Sequence, residues 1–81
     1  PDHLDLAEIQ TTLLTAFDDI KNIHDLHVWE ITTHFHCLSA HVVLDDVRLS
    51  ETASLRQAIA GHLRHRFGIA HVVLQFECQG V

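Results

Sequence analysis

The stretch at residues 24–45 reads HDLHVWEITTHFHCLSAHVVLD and decides the fold of this chain of 81 residues. Its β-branched and aromatic residues predict two strands, at about 24–32 and 36–44. The link between them contains neither Gly nor Pro, so a tight two-residue primed turn is not expected. Five of the nine histidines of the chain lie in this stretch, together with Cys37. Because imidazoles and thiolates bind zinc and neighbouring transition metals, we interpret the stretch as the framework of a metal-binding domain.

An amphipathic helix precedes the two strands. Apolar residues recur there at spacings of three and four, which predicts a helix over about 5–20 with one apolar stripe. Either Asp2 or Asp5 is placed to cap its first turn. The stripe consists of Leu6, Ile9, Leu13, Phe17 and Ile20.

A second amphipathic helix and a third strand complete the pattern. Ser50 is a suitable N-cap for a helix that runs to about Phe67, where Gly68 is suited to a left-handed C-cap. The apolar stripe of this helix consists of Leu55, Ile59, Leu63 and Phe67. Residues 71–78 then alternate as a strand, with one face formed by Val72, Leu74 and Phe76.

Alternation along the strands separates an aliphatic face from a polar face. In the second strand one face consists of Leu38, Ala40, Val42 and Leu44, and the other of Cys37, Ser39, His41 and Val43. In the first strand His24 shares a face with Leu26 and Val28, and both faces of that strand are candidates for burial. The order of elements predicts an α+β sandwich with two helices on one face of a three-stranded sheet. The other face is left to solvent, metal or a partner.

Size, charge and cysteine content limit the classes of protein to which the chain could belong. A chain of 81 residues is expected to form one domain with a marginal core, which needs a metal or a partner subunit as a staple. The formal net charge of −6 and only five Lys and Arg residues argue against a nucleic-acid surface and favour cations as ligands. Two cysteines without a signal peptide indicate a reducing cytosolic setting.

Donors on the polar face form the principal candidate metal site. His41, His71 and Glu77 share that face on two strands, and strands lie about 5 Å apart, so these side chains are expected to converge on one ion. His24 begins the first strand, where its side chain is freer to reach the same site at the sheet edge. Three imidazoles and one carboxylate suit tetrahedral zinc. A single histidine is more often an ordinary surface or core residue. A metal site is favoured here because several donors lie on the same face of the sheet.

A local cluster of His34, His36 and Cys37 is a second candidate metal site. An H-x-H pair in an extended strand places both rings on one side, although a polar turn has the same composition. Cys78, at the end of the third strand, is either a small core residue or an auxiliary ligand.

The remaining polar residues favour no catalytic chemistry. His62 and His65 are expected on a solvated face of the second helix. The sequence contains no Gly-rich phosphate loop and no G-x-S-x-G, H-E-x-x-H or C-x-x-C motif, so the chain is not expected to be an enzyme.

Three blocks of sequence resemble one protein family. They are HDLHVW at residues 24–29, LSAH at residues 38–41 and HVVLQFE at residues 71–77, in the family's order and over nearly the whole chain. The chain resembles the cytoplasmic C-terminal domain of cation diffusion facilitators, which export zinc, cobalt and cadmium, and in particular their bacterial heavy-metal-resistance branch. Each block alone is weak, and the three together are fairly specific.

The resemblance implies a fold, a partner and ligands. In the family the domain has a ferredoxin-like, copper-metallochaperone-like fold with the order α-β-β-α-β and a mixed sheet, and it forms a V-shaped homodimer below the inner membrane. The motif histidines fall on His24, His41 and His71, and the strand-ending acid falls on Glu77. A helix-borne histidine of some members falls near Ser54 here, which argues against a second ion in the same cluster.

The resemblance and the donor pattern together predict a regulatory, metal-sensing dimerisation domain of a divalent-cation efflux transporter. Zn²⁺ is the expected ligand, with Co²⁺, Cd²⁺ and Ni²⁺ as further candidates. Metal near the dimer interface is expected to favour the closed, transport-active V-shape, and the linked transmembrane domain is expected outside residues 1–81. Two alternatives stay open, a free-standing cytosolic metal carrier and a purely structural dimerisation module. A site at residues 34–37 would be particular to this protein, because these residues lie outside the motif.

Overall fold

Two helices and three strands follow one another in the order that the sequence predicts. A computed structural model describes residues 4–45 and 47–78. The elements are α1 (Leu6–Ala16), β1 (Ile20–Thr32), β2 (Phe35–Leu44), α2 (Leu49–Phe67) and β3 (Ile69–Cys78). β2 lies in the centre of the sheet, antiparallel to β1 and parallel to β3. The predicted α+β class with a mixed three-stranded sheet is confirmed.

Both helices pack their apolar stripes on one face of the sheet, and the core lies between these layers. Ile9 and Leu13 of α1 and Ile59 and Leu63 of α2 are fully buried. They form one cluster with inward-facing strand residues, which include Ile23, Leu38, Ala40, Val42, Leu44 and Leu74. Within the described part of the chain no polar or charged residue is buried. The candidate imidazole and carboxylate donors among the described residues are therefore not fully buried, whereas the Cys37 thiol is.

α1 is shorter than the apolar spacing predicts. Asp5 caps it, with Oδ1 accepting two backbone N–H groups of the first turn at 2.9 and 3.3 Å; Asp2, the other predicted cap, lies outside the described residues. The helix ends at Ala16, and Ile20 already begins β1. The backbone N–H of Ile20 donates to the carbonyl of Phe17 at 3.1 Å. This turn returns both side chains to the core, which is why the apolar spacing continues past the end of the helix.

Two residues, Thr33 and His34, connect β1 to β2. The link is tight, but it is not a primed turn, because neither residue has a positive φ. A register shift between Glu30 and Thr32 directly precedes the link. This irregularity lets the strands meet without the left-handed residues that a primed turn requires.

α2 begins earlier than predicted and ends where predicted. Its N-cap is Arg48, and the side chain of Glu51 accepts the Arg48 backbone N–H at 3.0 Å. The Glu51 N–H in turn donates to the Arg48 carbonyl at 2.9 Å. The predicted N-cap, Ser50, is wrong because these two contacts close the helix end two residues before it. At the other end Gly68 adopts φ +69, and its N–H donates to the carbonyl of Arg64 at 2.9 Å. The predicted left-handed C-cap is confirmed.

The two histidines of α2 have different surroundings. The His62 ring packs edge-on against Phe17, with centroids 5.7 Å apart. Its Nε2 is buried and has no hydrogen-bond partner among the described residues. The solvated face predicted for both residues is therefore wrong for His62 and holds for His65, which is exposed.

β3 is an edge strand, and one side chain of α2 contacts its free edge. Arg56 donates from Nη1 to the carbonyl of Leu74 at 2.8 Å. Its guanidinium carbon also lies 4.7 Å from the centroid of the Phe76 ring. One carbonyl of this edge strand is thus already bonded within the chain.

The sheet face opposite the helices, named the open face below, carries no second layer among residues 4–45 and 47–78. Trp29 and Val73 on this face are 44% and 52% exposed. The described helices include none with the length and apolar content to cross a membrane. By register and alternation the open face comprises His24, His27, Trp29, Cys37, Ser39, His41, Val43, His71, Val73, Gln75 and Glu77.

Candidate metal centre

A bulge in β1 brings His24 to the open face. His24 lies opposite His41 on the β1–β2 ladder, and the next pair is His27 opposite Ser39. β1 therefore advances by three residues while β2 advances by two, which means that β1 holds one extra residue here. Strict alternation would keep His24 on the core side with Leu26. The extra residue shifts the alternation by one and turns the His24 side chain to the same face as His41.

Asp25 lies within this bulge, with a backbone φ of +53. Asp is one of the few residue types besides Gly that adopt this left-handed conformation readily. The Oδ2 atom of Asp25 lies 3.5 Å from Nδ1 of His24 and 3.9 Å from Nε2 of His41. Asp25 is absent from the predicted ligands because alternation places it on the opposite face from His24. The available signal is the His-Asp pair itself, since Asp tolerates the bulge that aligns the two side chains.

Glu77, near the end of β3, bridges the two imidazoles. Its Oε2 lies 2.7 Å from Nδ1 of His41, and its Oε1 lies 3.2 Å from Nε2 of His24. The two rings are 4.9 Å apart between centroids and inclined by 56°. Each ring therefore has one nitrogen beside Glu77 and the other beside Asp25. We name these four residues, His24, Asp25, His41 and Glu77, the His-carboxylate cluster.

Hydrogen bonding controls the protonation of Glu77. The hydrogen bonds to His24 and then His41 lower the pKa of the Glu77 carboxyl, against a smaller opposing effect of desolvation. Glu77 is therefore ionised at neutral pH and accepts hydrogen bonds from both rings. The cluster is reachable from solvent, since the side chain of His41 is 33% exposed and that of Asp25 is 63% exposed.

The cluster fits a divalent metal ion in donor chemistry and in spacing. Imidazole nitrogen and carboxylate oxygen bind zinc at about 2.0–2.2 Å, so tetrahedral donors lie roughly 3.3 Å apart. One donor atom each from His24, Asp25 and His41 lies within 4.8 Å of the others. The distances of 3.5 and 3.9 Å from Asp25 Oδ2 to the two rings lie close to that spacing. The two carboxylates also make the site negative, which attracts a cation.

The structure brings together three of the four predicted ligands and separates the fourth. His24, His41 and Glu77 meet in the cluster. His71 pairs with Cys37 on the β2–β3 ladder, whereas His41 pairs with Gln75. Four residues of strand, about 13 Å, thus separate His71 from the level of His41. The expected convergence of His71 with His41 and Glu77 on one ion does not occur within one chain, because the parallel register sets its position along the strand.

The second predicted cluster does not assemble. His34 is exposed in the β1–β2 link, His36 is half-buried, and Cys37 is 1% exposed opposite Trp29. No group of three donors forms among them in the described ranges. The exposed Cys78 ends β3 on the other side of that strand from Glu77.

Comparison with known proteins identifies the family. A family model for the cytoplasmic domain of cation efflux proteins matches residues 1–79. The cadmium, cobalt and zinc/H(+)-K(+) antiporter of Bacillus subtilis is 39% identical over 80 residues, which are 98% of this chain and 25% of that protein. The metal cation efflux system protein CzcD of Cupriavidus metallidurans is 36% identical over 77 residues, 95% of this chain and 24% of that protein. The chain thus spans about a quarter of the length of these relatives.

Solved structures agree with this assignment. The metal-bound C-terminal domain of CzcD from Cupriavidus metallidurans has a TM-score of 0.75 and 38% identity, covering 91% of this chain and 99% of that one. The transporter CzrB has a TM-score of 0.79 at 20% identity, covering 96% of this chain and 100% of that one, which supports the fold. The resemblance carried by the three sequence blocks is confirmed. The chain belongs to the family of cytoplasmic domains of cation efflux proteins.

Proposed function

We propose that this chain is the regulatory, metal-sensing and dimer-forming domain of a divalent-cation efflux transporter, with Zn²⁺ as its ligand. The observation that carries the proposal is the His-carboxylate cluster on the open face. No polar or charged residue among those described is fully buried, so packing does not require these four side chains to converge. Metal binding would explain why these side chains converge, and the chain belongs to a family of cation efflux proteins.

The donor set supports zinc as the ligand and also accepts related ions. Two imidazoles and a carboxylate, with one position left for water or a further side chain, suit tetrahedral Zn²⁺. Co²⁺, Cd²⁺ and Ni²⁺ bind the same donor types, and their intrinsic order of affinity is common to most sites. Metal availability and the geometry of the closed dimer would therefore select the ion. The proposed role is binding and regulation, without catalysis.

A second copy of the chain is the partner that we propose for the open face. Trp29 and Val73 are exposed near its centre, and Ile31 and Phe35 are 60% and 41% exposed toward the β1–β2 link. Apolar patches of this kind mark protein interfaces. The His-carboxylate cluster lies toward the other end of the same sheet, so an ion bound there would lie beside the two-fold contact.

The mechanism that we propose is thermodynamic linkage. An ion that binds the closed dimer and not the open one stabilises closure by about 2.7 kcal/mol when free metal is a hundred times its dissociation constant. That is enough to shift a balanced equilibrium almost completely to the closed V-shape. Closure would act on the linked transmembrane domain, at the cytoplasmic side of the inner membrane, and favour transport.

Zinc titration of the chain by calorimetry, with mass and small-angle scattering measured in parallel, tests the proposal. A constant dimer that binds stoichiometric zinc and becomes more compact would support it. A monomer that binds one ion without a change of shape would instead indicate a metal carrier. Absence of saturable binding would leave a structural dimerisation module.

A matched pair of histidine variants assigns the binding to the cluster. His41→Ala should abolish or strongly weaken zinc binding and retain the far-UV circular dichroism of the parent, because this side chain lies on the open face. His65→Ala removes one exposed histidine from α2 and should bind zinc as the parent does. Equal zinc binding by both variants would move the site away from the cluster.

A further inference from the structure

We infer that Gln10 of α1 is a positioning residue for the His-carboxylate cluster, because it fixes the backbone of β1 immediately before His24. Its Nε2 donates to the carbonyl of Ile23 at 3.3 Å, in a half-buried contact between the helix and the sheet. The inference rests on the proposed metal-binding function and adds to it a link between the first helix and the ligands.

The β1–β2 ladder holds this part of β1 over a short distance only. Register shifts interrupt the ladder on both sides, between Ile20 and Asn22 and between His24 and His27. At each shift β1 contains one extra residue. Residues 22–24 therefore form a segment of three ladder pairs between two irregularities, named the ligand segment below. More of its position is thus left to restraints outside the ladder.

Side-chain hydrogen bonds at Ile23 supply such a restraint. β1 is an edge strand, and in an antiparallel pair every second residue directs its N–H and C=O away from the partner strand. In Ile23 the N–H donates to Oδ1 of Asn22 at 2.9 Å, and the carbonyl accepts from Gln10. Asn22 belongs to the ligand segment and moves with it. Gln10 belongs to α1, so its hydrogen bond fixes the segment against a separate element.

Apolar packing alone does not set the direction of this backbone. The Ile23 side chain is 3% exposed and lies in the core. Such burial is non-directional, whereas a hydrogen bond restricts the angle of the group that accepts it. The Ile23 carbonyl and the His24 Cα lie in one planar peptide unit. The Gln10 contact therefore restricts the direction in which the His24 side chain leaves the strand.

A restrained ligand binds metal more tightly than a mobile one. Zinc accepts imidazole nitrogen at about 2.0–2.1 Å, so a small rotation of the peptide before His24 misplaces the ring. A backbone that is fixed before binding also loses less conformational entropy when the ion arrives. The coupling is reciprocal, so an ion bound by His24 should strengthen the Gln10 contact by the same factor by which the contact strengthens binding.

A matched pair of glutamine variants tests the effect on metal affinity. Gln10→Met nearly keeps the size of the side chain and removes the donor. Its zinc affinity in calorimetry should fall about 2–10-fold, the range for one neutral hydrogen bond, while it retains the parent's far-UV circular dichroism. Gln57→Met makes the same change at an exposed position of α2 and should bind zinc as the parent does. Parental affinity in Gln10→Met would overturn the inference and leave the proposed metal-sensing function intact.

Side-chain amide spectra of the parent chain separate a positioning role from a merely structural contact. Zinc should shift the ¹H–¹⁵N signals of the Gln10 carboxamide, because the contact strengthens when His24 binds the ion, and should leave those of Gln57 in place. Gln10 signals that zinc does not move would overturn the inference, even if Gln10→Met binds zinc weakly. Failure of the parent to bind zinc would overturn the inference together with the proposed function.

Discussion

Alanine at Gly68 should destabilise the chain, whereas alanine at Gly61 should stabilise it. Gly68 ends α2 at φ +69, and a Cβ there meets no atom within 4 Å, so the cost is backbone conformation alone. For an L-residue that cost is about 1–2 kcal/mol. Gly61 lies inside α2, is exposed, and also has no atom within 4 Å of a Cβ. There alanine gains about 0.8–1.0 kcal/mol of helix propensity.

The two variants should therefore differ by roughly 2–3 kcal/mol in the free energy of unfolding. For a domain of this size each kcal/mol shifts Tm by about 4–8 °C. Urea and thermal unfolding of the metal-free chain, followed by circular dichroism at one protein concentration, measure the difference. Zinc affinity should be unchanged in both, because α2 packs on the face away from the cluster. A Gly68→Ala variant as stable as the parent, or a destabilised Gly61→Ala variant, would refute the reasoning.

Four further predictions follow from the packing and the site. Ile59→Ala should lower the free energy of unfolding in urea by about 2–5 kcal/mol, because Ile59 is fully buried. Trp29→Arg should weaken the dimer in sedimentation, retain the parent's far-UV circular dichroism and lower Tm only through the lost association, and an unchanged dimer would place the interface elsewhere. Zinc affinity should fall from pH 7.5 to 5.5, since protons compete with zinc for imidazole nitrogens. A free imidazole loses roughly tenfold over this range, so a two-histidine site should lose roughly 100-fold, and a roughly 1,000-fold fall would indicate a third histidine ligand. Because the hydrogen bonds to His24 and His41 lower the pKa of Glu77, its stabilising effect is present above the ordinary carboxyl pKa and is lost as the pH falls through the lowered value. Glu77→Gln should lack that acid-induced loss in urea titrations of the metal-free chain.

The fold is predictable because the buried residues recur at the regular spacings of a strand and of a helix. Leu38 and Val42 alternate along β2, Ile59 and Leu63 repeat along α2, and all four are buried as the patterns indicate. The predicted helix ends are wrong where a local hydrogen bond takes precedence over the spacing of apolar residues. α1 ends before Phe17 because the chain turns back there. At the start of α2 the Glu51 side chain, and not a hydroxyl group, accepts the N–H of the N-cap residue Arg48.

The candidate site was predictable only in part. The sequence predicts that His24, His41 and Glu77 meet, but His24 does so through a bulge, and alternation alone leaves it on the core side. The same bulge explains why the sequence does not predict Asp25 as a ligand, since the face of the sheet on which Asp25 lies depends on the one extra residue. Alternation groups His71 with the others, because it indicates which face of the sheet a side chain occupies but not its position along the strands. The parallel register, which the sequence does not specify, decides that position.

The contact of Arg56 with the edge of β3 bears on how copies of the chain associate. An unpaired strand edge is a template to which further strands add, and such growth has no natural end. Here the Arg56 side chain occupies one outer carbonyl of β3, and three register shifts interrupt the other edge strand, β1. Association through the open face would instead bury the same surface on both copies, so that the assembly closes as a dimer. In a domain of this family, the two protected edges therefore favour association through the open face over growth by strand addition.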